Sequence, residues 1–360
     1  MRIVQIIDSL EIGGAERMAV NYANALSEKI EFSGLISTRR EGVLLEQIRQ
    51  EVSYLFLNRT KSFDINAVFR LRKFIKKNKV EVIHAHSSSF FIAVLVKLTL
   101  FKIKIVWHDH YGSRIKQSKK QNRVLVYFSI FFASIFSVNR QLAAWSLENL
   151  RCKNVVFIPN FILKKDQNQN QNTYLKGTEG RRIVFLANLK EPKNHISILK
   201  AFTALKLYEN DWSLHLIGKD YLDLYSSSLK EFIKLHNLES HVFLYGSKSD
   251  INFILQQASI GVLASIFEGF PVTLIEYGCA GLPVLSTNAG YCSEIIKNEE
   301  TGLLFDPLNE QEIILQMQKI INNNELRNKF ANHLKQVVEN IYNEDKIIET
   351  ILLEYSKIIK

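Results

Sequence analysis

The chain has 360 residues, 47% of them hydrophobic, and a mean hydropathy of −0.03; these values exclude a disordered chain and fit a soluble core of two domains or one large one. Three cysteines, Cys152, Cys279 and Cys292, stand in no metal-ligand or redox spacing, which argues against a disulfide framework and predicts small buried thiols in a reducing cytosol. The net charge of +10 is uneven: residues 1–160 hold 25 Lys+Arg against 12 Asp+Glu, a balance of +13, and the remainder holds 21 against 24, a balance of −3, so a polyanionic surface, nucleic acid or anionic membrane, is expected to face the first part.

The chain opens on a short apolar run, 2–7, that reads as a buried strand and carries no signal-peptide pattern. Gly13 and Gly14 follow, then a helix to about Ser27; two glycines between strand and helix suit either a plain tight turn or a close approach of backbone to ligand. Strands near 31–37 and 52–57 alternate with helices near 43–51 and 64–78. Strands at 80–86 and 103–107 end in His84-Ala-His86 and His108-Asp109-His110, and alternation places rings two residues apart on one face of a strand. This pattern is open to a packed or hydrogen-bonded cluster, a ligand-facing histidine, or a metal site with Asp109 as a further ligand. Two apolar stretches, 90–101 and 124–138, are shorter than the roughly 20 residues of a membrane span; they read as buried helix and strand or as a partly exposed surface, the second preceded by Lys116, Lys119, Lys120 and Arg123. Strands at 134–138 and 154–158 complete an alternating series, the pattern of a doubly wound parallel sheet.

Residues 166–172, Asp-Gln-Asn-Gln-Asn-Gln-Asn, contain no apolar side chain and read as an exposed linker. A second alternating series opens with a strand at 182–187, followed by Asn188, Lys193 and a helix to about 207. A lysine at such a strand–helix junction is a natural partner for a diphosphate, or a solvated charge. Strands at 213–217 and 242–245 end in Gly218 and Gly246, a helix covers 251–257, and a strand at 259–264 leads into the most informative stretch of the chain. There Glu268, Gly269, Phe270 and Pro271 precede Glu276 on a new helix that Gly278 and Gly281 close, before a strand from Pro283. Glu268 is expected on the loop and Glu276 on the helix, where ligands of open α/β sheets bind. A helix N-terminus attracts phosphate, whereas two carboxylates repel it and accept from hydroxyls; together they predict a ligand with phosphate and sugar parts. The blander alternative is a helix-stabilising glutamate beside a solvated one.

This run, with Ser265, Glu268-Gly269-Phe270-Pro271, Glu276, Gly281-Leu282-Pro283-Val284, Gly290, Glu294 and then Thr301-Gly302-Leu303-Leu304-Phe305, resembles the donor-site signature of glycosyltransferase family 4. The resemblance implies a GT-B fold: two doubly wound Rossmann-like domains facing each other across a cleft. It divides the chain into an acceptor-side domain (1–163), a linker (164–180), a nucleotide-sugar-binding domain (181–342) and a final helix (343–360) that returns to the first domain. It implies a retaining transferase that moves a sugar from a nucleotide-diphosphate-sugar to a hydroxyl, in cell-surface polysaccharide or glycolipid assembly, with no cofactor, no metal and no nucleic acid. Gly13, Gly14, Asn188, Gly246, Gly269, Phe270, Pro271 and Glu276 would bind the donor, Glu276 through the ribose. Glu268 and either His108 or His110 would lie near the reacting sugar, and Lys193 would offset the charge of the leaving diphosphate. Asn188 departs from the family's usual Arg, and Phe161 from its usual Gly. Partners would be the donor, a carbohydrate or lipid-linked acceptor and an anionic membrane surface at the cytoplasmic side. Two other functions fit parts of the pattern: a nucleotide-sugar 2-epimerase of the same fold, and a non-catalytic basic membrane-binding protein that would leave Glu268 and Glu276 without a purpose.

Overall fold

The computed structural model describes residues 1–163 and 171–360 and divides into two compact units, Met1–Lys164 with Asn343–Lys360, and Lys165–Tyr342. The polar run 166–172 lies outside the described residues except for its last two positions. The backbone N–H groups of Asn172 and Thr173 donate to the Asp250 carboxylate at 3.0 and 2.8 Å, so the end of the expected linker is fastened to its own unit.

The first unit is a seven-stranded parallel sheet in the order β3-β2-β1-β4-β5-β6-β7, built from β1 (Arg2–Ser9), β2 (Phe32–Arg40), β3 (Ser53–Phe56), β4 (Val82–His86), β5 (Lys104–Asp109), β6 (Ser134–Ser137) and β7 (Val155–Phe157). Helices α1 (Gly14–Ser27), α2 (Ile65–Lys77), α3 (Phe90–Lys97), α4 (Arg123–Phe128) and α5 (Arg140–Asn149) cover it. The connections obey local chemistry. The carboxylate of Asp64 accepts from Ala67 N at 2.9 Å and the Asn139 amide oxygen from Leu142 N at 2.7 Å, each satisfying a donor that its helix leaves open. The helix expected near 43–51 is instead a five-residue 3-10 turn, Val43–Gln47: Gly42 immediately precedes it, and only Leu44 of the five is buried, too little apolar surface to hold a full helix.

The second unit is a six-stranded parallel sheet, β10-β9-β8-β11-β12-β13, from β8 (Arg182–Leu186), β9 (Ser213–Ile217), β10 (Val242–Gly246), β11 (Ile260–Leu263), β12 (Val284–Thr287) and β13 (Leu303–Phe305). Its helices are α6 (His195–Ala204), α7 (Leu224–Leu235), α8 (Ile251–Gln256), α9 (Val272–Cys279), α10 (Cys292–Ile295), α11 (Glu310–Asn322) and α12 (Asn324–Ile341). Gly278 does not close α9 but sits within it, where a Cβ would come within 2.5 Å of Val338 on α12; it is a packing glycine. Gly281, at φ +68°, makes the stop. Cys279, also on α9, is exposed, whereas Cys152 and Cys292 are buried.

The last helix, α13 (Glu344–Ile359), belongs to the first unit. Its Ile347, Ile348, Ile351 and Tyr355 pack with Tyr22, Val106, Phe136 and Phe161. Phe161, where the resemblance implies a Gly, is fully buried and meets the Tyr22 ring edge-on at 5.1 Å, so this side chain is part of the core.

Candidate active site

In both sheets the strand order reverses once, between β1 and β4 and between β8 and β11, because successive strands first build outward on one side and then on the other. The loops leaving such a switch point diverge, and ligands of open α/β sheets bind there. The four loops concerned carry most of the residues the sequence singled out: Gly13 and Gly14 after β1, His86 at the end of β4, Asn188 and Lys193 after β8, and Glu268 to Pro271 after β11.

In the second unit two loops are tied together by Ile266 N donating to Pro192 O at 2.9 Å. That bond brings Lys193 beside Glu268, and the ammonium Nζ donates to the carboxylate Oε1 at 2.6 Å. Gly290 packs on the same loop at φ +59°, where a Cβ would lie 1.8 Å from Glu268 O; both the left-handed backbone and the contact require glycine. Glu276 is buried on α9. Close by in the fold, the hydroxyls of Ser265, after β11, and Thr287, ending β12, are buried without hydrogen-bond partners. Unpaired buried hydroxyls cost free energy and mark places where a ligand or water completes the bonding. Thr287 carried no signal in the sequence.

The remaining expected donor residues differ in what they do. Asn188 Oδ1 accepts from Lys219 N at 2.9 Å, joining the ends of β8 and β9. The cation absent at 188 has neighbours at 190 and 219: Lys190 and Lys219 place their Nζ atoms 5.8 and 5.4 Å from the Tyr221 ring. Gly246 ends β10 at φ +69°, and its amide oxygen accepts from Gly218 N at 3.0 Å. Phe270 is a packing residue: it stacks on Tyr291 at 5.2 Å and meets Tyr342 edge-on at 5.6 Å. Pro271 caps α9 and its carbonyl accepts from Leu274 N at 3.0 Å. Gly269 sits between Glu268 and this aromatic group.

In the first unit Gly13 caps α1, its extended backbone free of strain. A Cβ on Gly14 would meet no atom within 4 Å, so no packing within the protein demands glycine there. The histidines form one buried cluster. His84 and His86 stack at 4.5 Å, and His108 and His110 lie 4.1 Å apart. Tyr22 on α1 lies 5.3, 5.8 and 5.6 Å from His84, His86 and His108. Two hydrogen-bonded lines run through the cluster. One joins Tyr355 Oη to His84 Nδ1 (2.5 Å) and His84 Nε2 to His108 Nδ1 (3.1 Å). The other joins Gln5 Oε1 to His86 Nε2 (2.9 Å) and His86 Nδ1 to His110 Nε2 (2.9 Å). Ring nitrogens of His84, His86 and His108 come within 4.8 Å of one another, near enough to hold a metal ion, but both ring nitrogens of His84 and of His86 are already engaged in hydrogen bonds. Burial holds His84, His86 and His108 well below the ordinary histidine value and His110 down to about 3, so all four are neutral imidazoles. Asp109, one residue out of phase, leaves this face: its carboxylate accepts from Arg114 Nε at 2.6 Å and from Tyr111 N at 3.1 Å. Burial raises its pKa while Arg114 opposes the shift. Gln5, Tyr22 and Tyr355, and the charged group in which Asp8 accepts from Arg59 (3.1 Å), Ser88 (2.6 Å) and Thr38, were not anticipated. A glutamine inside an otherwise apolar strand was the one sequence signal available for them.

Two family models match the chain, "Glycosyl transferases group 1" over residues 166–337 and "Glycosyltransferase Family 4" over residues 12–163. Among curated relatives, the Escherichia coli UDP-Gal:alpha-D-GlcNAc-diphosphoundecaprenol alpha-1,3-galactosyltransferase is 23% identical, covering 94% of this chain and 92% of its own length. The Campylobacter jejuni GalNAc-alpha-(1->4)-GalNAc-alpha-(1->3)-diNAcBac-PP-undecaprenol alpha-1,4-N-acetyl-D-galactosaminyltransferase is 24% identical, covering 93% of each. Among solved structures, Anabaena HepE in complex with UDP and glucose superposes with a TM-score of 0.82 at 16% identity, covering 99% of this chain and 100% of the other.

Proposed function

The chain belongs to the family 4, group 1 glycosyltransferases and has their GT-B fold, and from that premise we propose that it transfers a hexose-type sugar from a nucleotide-diphosphate-sugar to a lipid-linked glycan, with retention at the anomeric carbon and without a metal ion. The observation that carries the donor part is the Lys193–Glu268 pair, 2.6 Å apart at the switch point of the second sheet and directly before the N-terminus of α6. A diphosphate bound there meets the lysine and the helix's partial positive charge, while Glu268, Glu276 and the Ser265 and Thr287 hydroxyls suit sugar and ribose hydroxyls. HepE, solved with UDP and glucose, supports a nucleotide donor. The acceptors named for the two bacterial relatives are joined to undecaprenol through a diphosphate, which supports a lipid-linked acceptor.

In the reaction the bond between C1 of the sugar and the diphosphate oxygen breaks, and a bond from the acceptor oxygen to C1 forms on the same face. The charge that develops on the leaving diphosphate is offset by Lys193 and the α6 N-terminus, which do the work a divalent cation does elsewhere. The leaving phosphate oxygen takes the acceptor's proton, so no protein nucleophile is assigned. A lipid-linked acceptor places the enzyme at a membrane. Among the described residues no helix is long and apolar enough to cross one, but α4 and the turn after it turn Val124, Tyr127 and Ile130 outward, 47%, 61% and 60% exposed, beside Lys116, Lys119, Lys120 and Arg123. That is the make-up of a surface-seated element. Of the other apolar residues of the stretch, Leu125, Phe132, Ile135, Phe136 and Val138 are buried and Val126, Phe128, Phe131 and Ala133 partly so, so it divides between core and exposed face.

A thermal-shift series with UDP, GDP and ADP and their sugars tests the donor site, since a ligand that binds the folded state stabilises it by mass action. One nucleotide family is expected to raise the melting temperature, and Lys193→Ala to abolish that rise measured against the variant's own ligand-free value, which loss of the Glu268 partner lowers. No shift with any nucleotide would overturn the assignment.

A further inference from the structure

Two ring nitrogens of the histidine cluster, His108 Nε2 and His110 Nδ1, are buried without a hydrogen-bond partner. His110 directly follows β5, at the carboxyl end of the sheet where ligands of this architecture bind. Its tautomer follows from its neighbours. The Gln5 amide oxygen faces His86 Nε2, so that nitrogen carries the hydrogen and donates. His86 is neutral, which leaves a lone pair on Nδ1; His110 Nε2 therefore carries its hydrogen and donates to it. His110 is neutral as well, so Nδ1 holds a lone pair. Turning the amide over would reverse every step and leave an N–H at the same place. One amide orientation, two bonds away, thus decides whether the strand end offers an acceptor or a donor.

We propose that Gln5, acting through His86, is a positioning residue that fixes His110 as the Nε2–H tautomer, so that its Nδ1 accepts a hydrogen bond from a substrate hydroxyl. The proposal rests on the transferase reading for the identity of that hydroxyl, but not for the tautomer. Gln5 sits in the middle of β1, paired in register with His84, where an apolar residue would be expected; the relay gives that amide a role. Tyr355 on α13 anchors the parallel line through His84 to His108, which holds the neighbouring rings in place.

Nitrogen-15 NMR of the imidazoles in the unliganded protein, assigned with His110→Asn, reads the tautomer whether or not the protein is a transferase. The expected result is a pyridine-type Nδ1 and a pyrrole-type Nε2 on His110, retained in Gln5→Glu, whose carboxylate can only accept, and mixed or reversed in Gln5→Leu. Gln5→Leu should also lose about tenfold in kcat/KM, the worth of one neutral hydrogen bond, with Gln5→Glu restoring it; a rise in KM for donor or for acceptor identifies which hydroxyl is held. Should Gln5→Leu fail to fold, the wild-type and Gln5→Glu spectra still decide the tautomer. A proton on Nδ1 of wild-type His110, or a Gln5→Leu spectrum identical to wild type, overturns the relay. The expected tautomers with unchanged kinetics in Gln5→Leu overturn the hydroxyl contact.

Discussion

At the scale of single residues, Lys193 and Glu268 satisfy each other in the absence of ligand, so neither is independent of the other. Lys193→Ala removes a cation from the place where negative charge is proposed to develop, and should lower kcat by roughly 10²-fold or more, the worth of one preorganised charge-stabilising group. It also strands the Glu268 carboxylate, so steady-state kinetics of the double variant Lys193→Ala/Glu268→Gln should lose less than the two single losses multiplied. Multiplicative losses would show that the pair does not act as a unit. Glu276→Gln keeps the shape of the side chain but removes the charge proposed to meet the donor, and should weaken nucleotide-sugar binding by about 1–3 kcal/mol in calorimetry. Unchanged affinity would remove Glu276 from the site. The glycines separate in the same way. Gly14→Ala meets no atom and gains helix propensity, so it should stabilise the fold by up to about 1 kcal/mol; any loss of activity it brings then reports a ligand against that backbone. Gly290→Ala must hold a left-handed backbone costing roughly 1–2 kcal/mol and push away the Glu268 carbonyl as well, so denaturant unfolding and activity should both suffer.

At the scale of elements, the strand–helix alternation was legible because parallel strands buried on both faces are short continuous apolar runs separated by amphipathic helices, and twelve of the thirteen strands among the described residues fall within a few residues of where apolar runs predict them. The exception is β13, Leu303–Phe305, read only as part of a motif. The failures have physical causes. The 3-10 turn at Val43–Gln47 has apolar residues at helical spacing but too little to bury, and Gly278 reads as a stop because the sequence does not show that α12 packs on it. The histidine pairs were legible as a group, whereas their wiring was not, since Gln5, Tyr22 and Tyr355 come from β1, α1 and α13, distant in the chain. The wiring has a consequence for stability. His84, His86 and His108 sit well below the free value of 6.5, and His110, His195 and His215 at about 3, all chiefly through burial. The unfolded chain therefore takes up protons first as pH falls, so stability should be flat above about pH 7 and decline from about 6.5 downward. Denaturant melts from pH 8 to 4 check this; stability that rises toward pH 5 would contradict the buried, neutral cluster.

At the scale of the whole molecule, the excess of positive charge in residues 1–160 and the outward apolar face of α4 lead to one expectation. The protein should sediment with vesicles containing anionic lipid at low salt, each Lys or Arg near the surface contributing about 1 kcal/mol. Binding should fall with added salt, because exposed charges are screened over about 10 Å at 0.1 M, and should fall again when Lys116, Lys119, Lys120 and Arg123 are changed to Gln. Indifference to anionic vesicles would remove the membrane from the proposal and leave the transferase standing. The transferase itself is tested most directly by mass spectrometry and NMR of the products from an undecaprenyl-diphosphate-linked sugar incubated with a panel of nucleotide sugars in the presence of EDTA. The expected result is addition of one hexose-type residue in an α linkage from an α-linked donor, with one nucleoside diphosphate released per transfer, and an initial rate lower by roughly 10²-fold or more in Lys193→Ala. Release of nucleotide with a 2-epimerised free sugar and no extended acceptor, or transfer that appears only when Mg²⁺ or Mn²⁺ is restored, would contradict it.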